Sequence, residues 1–108
     1  MRPKIKRHIC KENRPKFSLF KPNGIPASQL QKIGIEADEF EAIRLVDIDG
    51  LAQQDAALQM QVSRQTFANI IKMARYKVTD AIVNGYALEL PNIDTNFENG
   101  EKDEKPEL

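Results

Sequence analysis

The chain has 108 residues, with sixteen Lys and Arg balanced by sixteen Asp and Glu, 41% hydrophobic residues and one cysteine. That length supports one small core and not two, no apolar run nears the roughly 20 residues of a bilayer-crossing helix, and a lone cysteine closes no internal disulfide. No apolar segment follows the basic N-terminus, so no secretory signal is expected and a reducing cytoplasm is the natural setting.

Zero net charge argues against a nucleic-acid partner only until its distribution is read. Residues 1 to 24 hold eight basic residues and one acid, 25 to 60 two against seven, 61 to 86 four against one, and 87 to 108 two against seven. Basic and acidic blocks alternate along the chain, which places positive charge in an N-terminal arm and in one later segment.

Residues 1 to 16 contain two prolines, seven basic residues and few large apolar ones, and are read as a basic flexible arm. The composition fits equally an arm laid along a DNA groove, with Lys6 and Arg7 as contacts, and a solvated tail. His8 and Cys10 supply two metal donors where a tetrahedral site needs four, so no metal and no cofactor is expected. No nucleophile with a supporting base and no phosphate-cradling glycine loop appears, so no enzymatic activity is expected.

Phe17 to Phe20 alternates and ends in the turn sequence Lys21-Pro22-Asn23-Gly24, as a short strand does. Tyr86 to Leu90 alternates likewise, and since isolated short strands are unstable the two are expected to pair. Ala27 to Lys32 is predicted to make one or two helical turns, broken at Gly34. Ala37 to Val46 is predicted to be a helix, with Asp38, Glu39 and Glu41 on an acidic face turned away from any nucleic acid.

Leu51 to Ile82 carries the functional argument. Ala56, Ala57 and Met60 mark one face of a short helix, and Gln61-Val62-Ser63 interrupts it. Ser63 is a suitable N-cap for a second helix, whose apolar stripe is Phe67, Ile70, Ile71, Ala74, Val78, Ala81 and Ile82. The opposite stripe, Gln65, Asn69, Lys72, Tyr76 and Thr79 with Arg75 at its border, carries donors and positive charge but no carboxylate before Asp80. A small residue at the helix crossing, an apolar wedge at Val62 and anchors at Phe67 and Ile70 are what a helix-turn-helix requires. The plain alternative is a helical hairpin with a solvated polar face. Residues 92 to 108 lose the periodicity, gain six acids and are read as an acidic disordered tail.

The blocks FKPNGIP at 20 to 26, DEFEAIRL at 38 to 45, DIDGL at 47 to 51, QQDAA at 53 to 57, VSRQTF at 62 to 67 and VNGYAL at 83 to 88 resemble uncharacterised protein family 0251, a domain of unknown function whose members are considered DNA-binding. The resemblance runs from Arg2 to Leu90. Its helix-turn-helix is similar to region four of sigma-70 factors, which implies a turn at Gln61 to Ser63 and a recognition helix starting at Arg64-Gln65-Thr66. The chain departs from the family at Gln61, where glycine is usual, at Ala52, where a capping serine is common, and at Lys6, where a second cysteine often stands.

The expected fold is therefore mainly α: a three-helix helix-turn-helix bundle over residues 17 to 91 with a small two-stranded sheet from the flanks. The expected function is sequence-specific binding of double-stranded DNA as a transcriptional regulator, as a homodimer. Ser63, Arg64, Gln65, Thr66, Ala68, Asn69 and Lys72 are the candidate contacts on the first turns, with Arg75 and Tyr76 further along. The rival expectation is an adaptor that docks on the transcription machinery through the same helix face.

Overall fold

The structure, a computed structural model, describes Pro15 and residues 17 to 92. The arm contacts Lys6 and Arg7, the pair His8 and Cys10, and the acidic tail beyond Asn92 lie outside the described residues.

Strand β1 (Leu19–Phe20) leads through a 3-10 turn (Ala27–Gln29) to β2 (Lys32–Gly34). Helix α1 (Ala37–Ile43) runs on into a π-helical turn (Arg44–Ile48), and α2 (Gln53–Met60), α3 (Arg64–Asn84) and β3 (Ala87–Glu89) follow. The three helices match the periodicity of the sequence. β1 pairs antiparallel with β3, Leu19 opposite Glu89 and Phe20 opposite Leu88, as the two alternating segments require.

The sheet has three strands and not two, in the order β1, β3, β2. Ala27 to Lys32 makes only the 3-10 turn, leaves it in extended conformation at Leu30, and lays β2 parallel to β3 with Ile33 opposite Leu88. The reason is backbone accounting. With β1 on one edge, the other edge of β3 still carries polar groups that need partners, and they are met from this side by Gln31 O accepting from Ala87 N and by Ile35 N donating to Glu89 O, both at 2.9 Å.

The core lies where α1, α2 and the first half of α3 meet. Ala42, Leu45, Ala56, Ala57, Met60, Phe67, Ile70 and Ile71 form one buried cluster, and Val46, Leu51 and Val62 pack against it. Phe67 is fully buried, as expected of the residue that seats α3. The apolar stripe of α3 continues through Ala74 and Ala81, but Ile82 is 74% exposed and does not belong to it. α3 has 21 residues against 7 in α1 and 8 in α2, so its outer turns have less of the bundle to pack against.

The acidic face expected on α1 is also not a solvated face. Asp38, Glu39 and Glu41 are all buried. Glu39 Oε1 accepts from the Glu36 backbone N–H at 2.9 Å, satisfying a donor at the helix start, and from Lys77 Nζ of α3 at 2.8 Å. Lys77 also donates to Gly34 O at 3.0 Å, so one ammonium ties α3 to both α1 and β2. Glu41 receives Arg44 through Nε at 3.2 Å and Nη2 at 2.9 Å, and Arg44 Nη1 reaches Asp49 at 2.8 Å across the π-helical turn.

Candidate nucleic-acid interface

The junction between α2 and α3 is built from backbone geometry first. Gln61 takes the left-handed conformation, φ 60° and ψ 43°, and ends α2 with its N–H directed to Ala57 O and Leu58 O. A side chain there costs about 1 kcal/mol relative to glycine, which a packed bundle absorbs. Val62 N donates to Ala57 O at 3.1 Å, so the chain turns within two residues while Val62 enters the crevice between the helices.

Ser63 then caps α3. Its backbone is extended, its Oγ accepts from Thr66 N at 3.0 Å, and its hydroxyl donates to Thr66 Oγ1 at 2.9 Å. No acidic residue stands in the first turn of α3, so the positive end of the helix dipole is left uncompensated by side chains. α2, by contrast, starts at Ala52 with no side-chain cap.

From this start the candidate contacts spread over one outward surface. Ser63, Arg64, Gln65, Asn69, Lys72, Arg75 and Tyr76 are exposed, and Thr66 and Ala68 are half-buried at its edge. Gln65 Nε2 donates to Asn69 Oδ1 at 3.4 Å, one turn apart, so the two amides lie side by side. Such a pair offers donors and acceptors together on a rigid helix, a chemistry suited to base edges. Arg64 and Lys72 make no ion pair among the described residues.

Arg75 differs from the other two cations. Its Nε and Nη2 donate to Asp47 Oδ2 at 3.2 Å and Oδ1 at 2.8 Å, a bidentate pair with both side chains about half exposed. The hydrogen bonds raise the Arg75 pKa and hold the Asp47 carboxyl below the usual aspartate range. α3 itself brings no carboxylate to this surface before Asp80, but the π-helical turn brings one, at Asp47. Sequence periodicity carries no trace of that contact, because it joins exposed residues 28 positions apart.

No helix among the described residues is long and apolar enough to cross a membrane, and none of their His, Cys, Asp and Glu side chains form a group of three that could hold a metal.

Residues 1 to 94 match the family described as protein of unknown function DUF134. The chain is 60% identical to a UPF0251 protein of Aeromonas salmonicida over 81% of its own length and 83% of the relative's. It is 52% identical to a UPF0251 protein of Vibrio parahaemolyticus, over 89% and 98% of the two chains, and 52% identical to one from Shewanella pealeana, over 85% and 94%. No solved structure matches the chain with statistical significance.

Proposed function

The chain belongs to the DUF134 family of UPF0251 proteins, and we propose that it is a sequence-specific binder of double-stranded DNA, acting in the cytoplasm as a transcriptional regulator. The observation that supports this most is the acid-free start of α3, raised on a tight turn and presenting Arg64, Gln65, Asn69 and Lys72 to solvent. In a helix-turn-helix, this part of the second helix enters the major groove and its first turns reach base edges. Gln65 and Asn69 supply the amides that match the N6 and N7 edge of adenine, while Arg64 and Lys72 supply charge for phosphates. The arm residues Lys6 and Arg7 add further phosphate contacts, and a second copy of the chain doubles the small reading surface of one helix.

The buried carboxylates of α1 fit this role, because Glu39 and Glu41 are committed to Lys77 and Arg44 inside the fold and add no negative charge to the reading surface. A second reading, an adaptor docking on the transcription machinery, draws on the exposed Met73 and Tyr76 further along α3.

Selection from random duplexes separates the two readings. The full chain is expected to enrich one short motif, with binding that weakens steeply as salt rises. Failure to retain any duplex at low salt favours the adaptor.

A further inference from the structure

After α3 ends, the chain turns back along it. Tyr86 N donates to Ala81 O, and β3 then runs to Glu89, which stands opposite Gly34 in the sheet. Gly34 O in turn accepts from Lys77 Nζ at 3.0 Å, so the end of β3 lies beside the middle of α3 and not beside its last turn. Residues 93 to 108 leave from there. The helix start at Arg64 is thirteen residues back from Lys77, about 20 Å, whereas sixteen residues span up to roughly 50 Å when extended.

The outward face of α3 changes chemistry in a fixed order along that route. At about 100° per residue, turning from Lys77 away from the core, Met73 comes at about 40°, Tyr76 at about 100°, Lys72 at about 140° and Arg64 at about 220°. Met73 and Tyr76 are 47% and 62% exposed, and the exposed Lys72 and Arg64 make no ion pair among the described residues. Apolar atoms come first and cations after. Asp80, the one acid of α3, lies C-terminal to all four. Residues 93 to 108 carry the same order in their sequence, since Ile93 and Phe97 come first and five of the six acids, Glu98 to Glu107, follow.

We propose that this face of α3 is a docking surface for the chain's own residues 93 to 108, Ile93 and Phe97 lying against Met73 and Tyr76 and the acids against Lys72 and Arg64. Apolar and ionic complementarity then agree on one direction of travel, the one that β3 already sets. Exposed ion pairs are individually weak and screened by salt, but a segment tethered to the same chain needs little affinity because its local concentration is high. Asn69 and Gln65 lie at about 80° and 120° on the same turn of arc, so the segment covers both amides. That it regulates DNA reading rests on the proposal above: a duplex has to displace the segment before it meets Gln65 and Asn69. The contact itself does not rest on it.

A nitroxide at Asn99→Cys in the full chain, with Cys10→Ser so that one thiol is labelled, tests it by the broadening of backbone amide signals in NMR without DNA. Broadening is expected to be strongest at Asn69, Lys72 and Met73 and weak at Gln53 on α2. Most of it is lost near 1 M salt, where the Debye length falls to about 3 Å. Lys72→Glu and Phe97→Ser, both outside the buried core, each reduce it while the remaining amide shifts report an intact fold. In a mixture of labelled chain and isotope-enriched unlabelled chain no broadening passes between molecules. Broadening that is absent, spread evenly over the surface, indifferent to Lys72→Glu, centred on residues 1 to 16 or carried between molecules overturns the proposal, the last two because they give the acids a different partner. A confined contact in a chain that retains no duplex removes only the DNA-reading proposal, and a chain that selects an operator without this contact removes only the present one.

Discussion

Arg75 and Asp47 show how one contact alters what a helix offers to a phosphate. With both hydrogen bonds in place the pair is neutral, so on the DNA-binding proposal Arg75 adds little to counterion release. On the DNA-binding proposal, Arg75→Gln should leave the salt slope nearly unchanged, whereas the same substitution in an Asp47→Asn background should reduce it by about one. Lys72→Ala, which removes a cation without an ion pair among the described residues, should reduce it by about one in either background. Equal slopes for all variants in salt-series titrations would place this flank of α3 away from the phosphates. The pair also has a pH signature. Hydrogen bonding from Arg75 lowers the folded-state pKa of Asp47, so its contribution to stability is complete above the ordinary aspartate pKa and is lost as the pH falls through the lowered value. Carboxyl titration by NMR should show Asp47 below the usual range in the wild type and moved back upward in Arg75→Gln. The outward face of α3 was legible in the sequence, since the exposure of Gln65, Asn69 and Lys72 follows from helical spacing alone. Asp47 was not, because no local pattern marks the far end of a tertiary ion pair.

At the scale of elements, α3 is held by two unlike fastenings. Phe67 fills the space between α2 and the turn, and Phe67→Ala should cost about 3–5 kcal/mol, a large fraction of the stability of a small domain. Lys77 fastens the other half of the helix to Glu39 of α1 and to Gly34 of β2. Glu39 is only 2% exposed, so Lys77→Met leaves a buried carboxylate without its cation. The expected cost is about 2–3 kcal/mol, below the 3–5 typical of a fully buried pair because Lys77 keeps some access to water. Arg75→Ala, which breaks an exposed pair, should cost less than about 1 kcal/mol. Chemical denaturation of the three variants in one buffer checks the ranking, and a Lys77 variant as stable as wild type would show that Glu39 needs no counter-charge. The helices were readable because their apolar residues recur with a regular period. β2 was not readable, since Lys32, Ile33 and Gly34 show no alternation and become a strand only because β3 presents an edge to them. The acids of α1 misled for a related reason: charge at a helix start reads as surface until Lys77 and Arg44 are seen to reach it.

Across the whole molecule the charges are sorted rather than balanced. Residues 1 to 16 carry seven basic side chains and residues 92 to 108 six acids, and between them the described residues place Arg64, Lys72 and the capped start of α3 on one surface. Removing residues 1 to 16 should flatten the salt dependence of DNA binding, and removing residues 92 to 108 should leave affinity unchanged or raise it, since like charge near a duplex opposes approach. An arm deletion with an intact salt slope would assign the arm no phosphate contact. Both deletions act on attraction to any duplex, whereas the central claim is that α3 reads sequence. The direct measurement is therefore a paired titration, at one fixed salt concentration, of the wild type, Gln65→Ala and Asn69→Ala on the selected operator and on random duplex. Each substitution is expected to lose about 1–3 kcal/mol on the operator while leaving binding to random duplex almost unaltered. Variants that keep full discrimination between the two duplexes would contradict the claim that this helix is the reader.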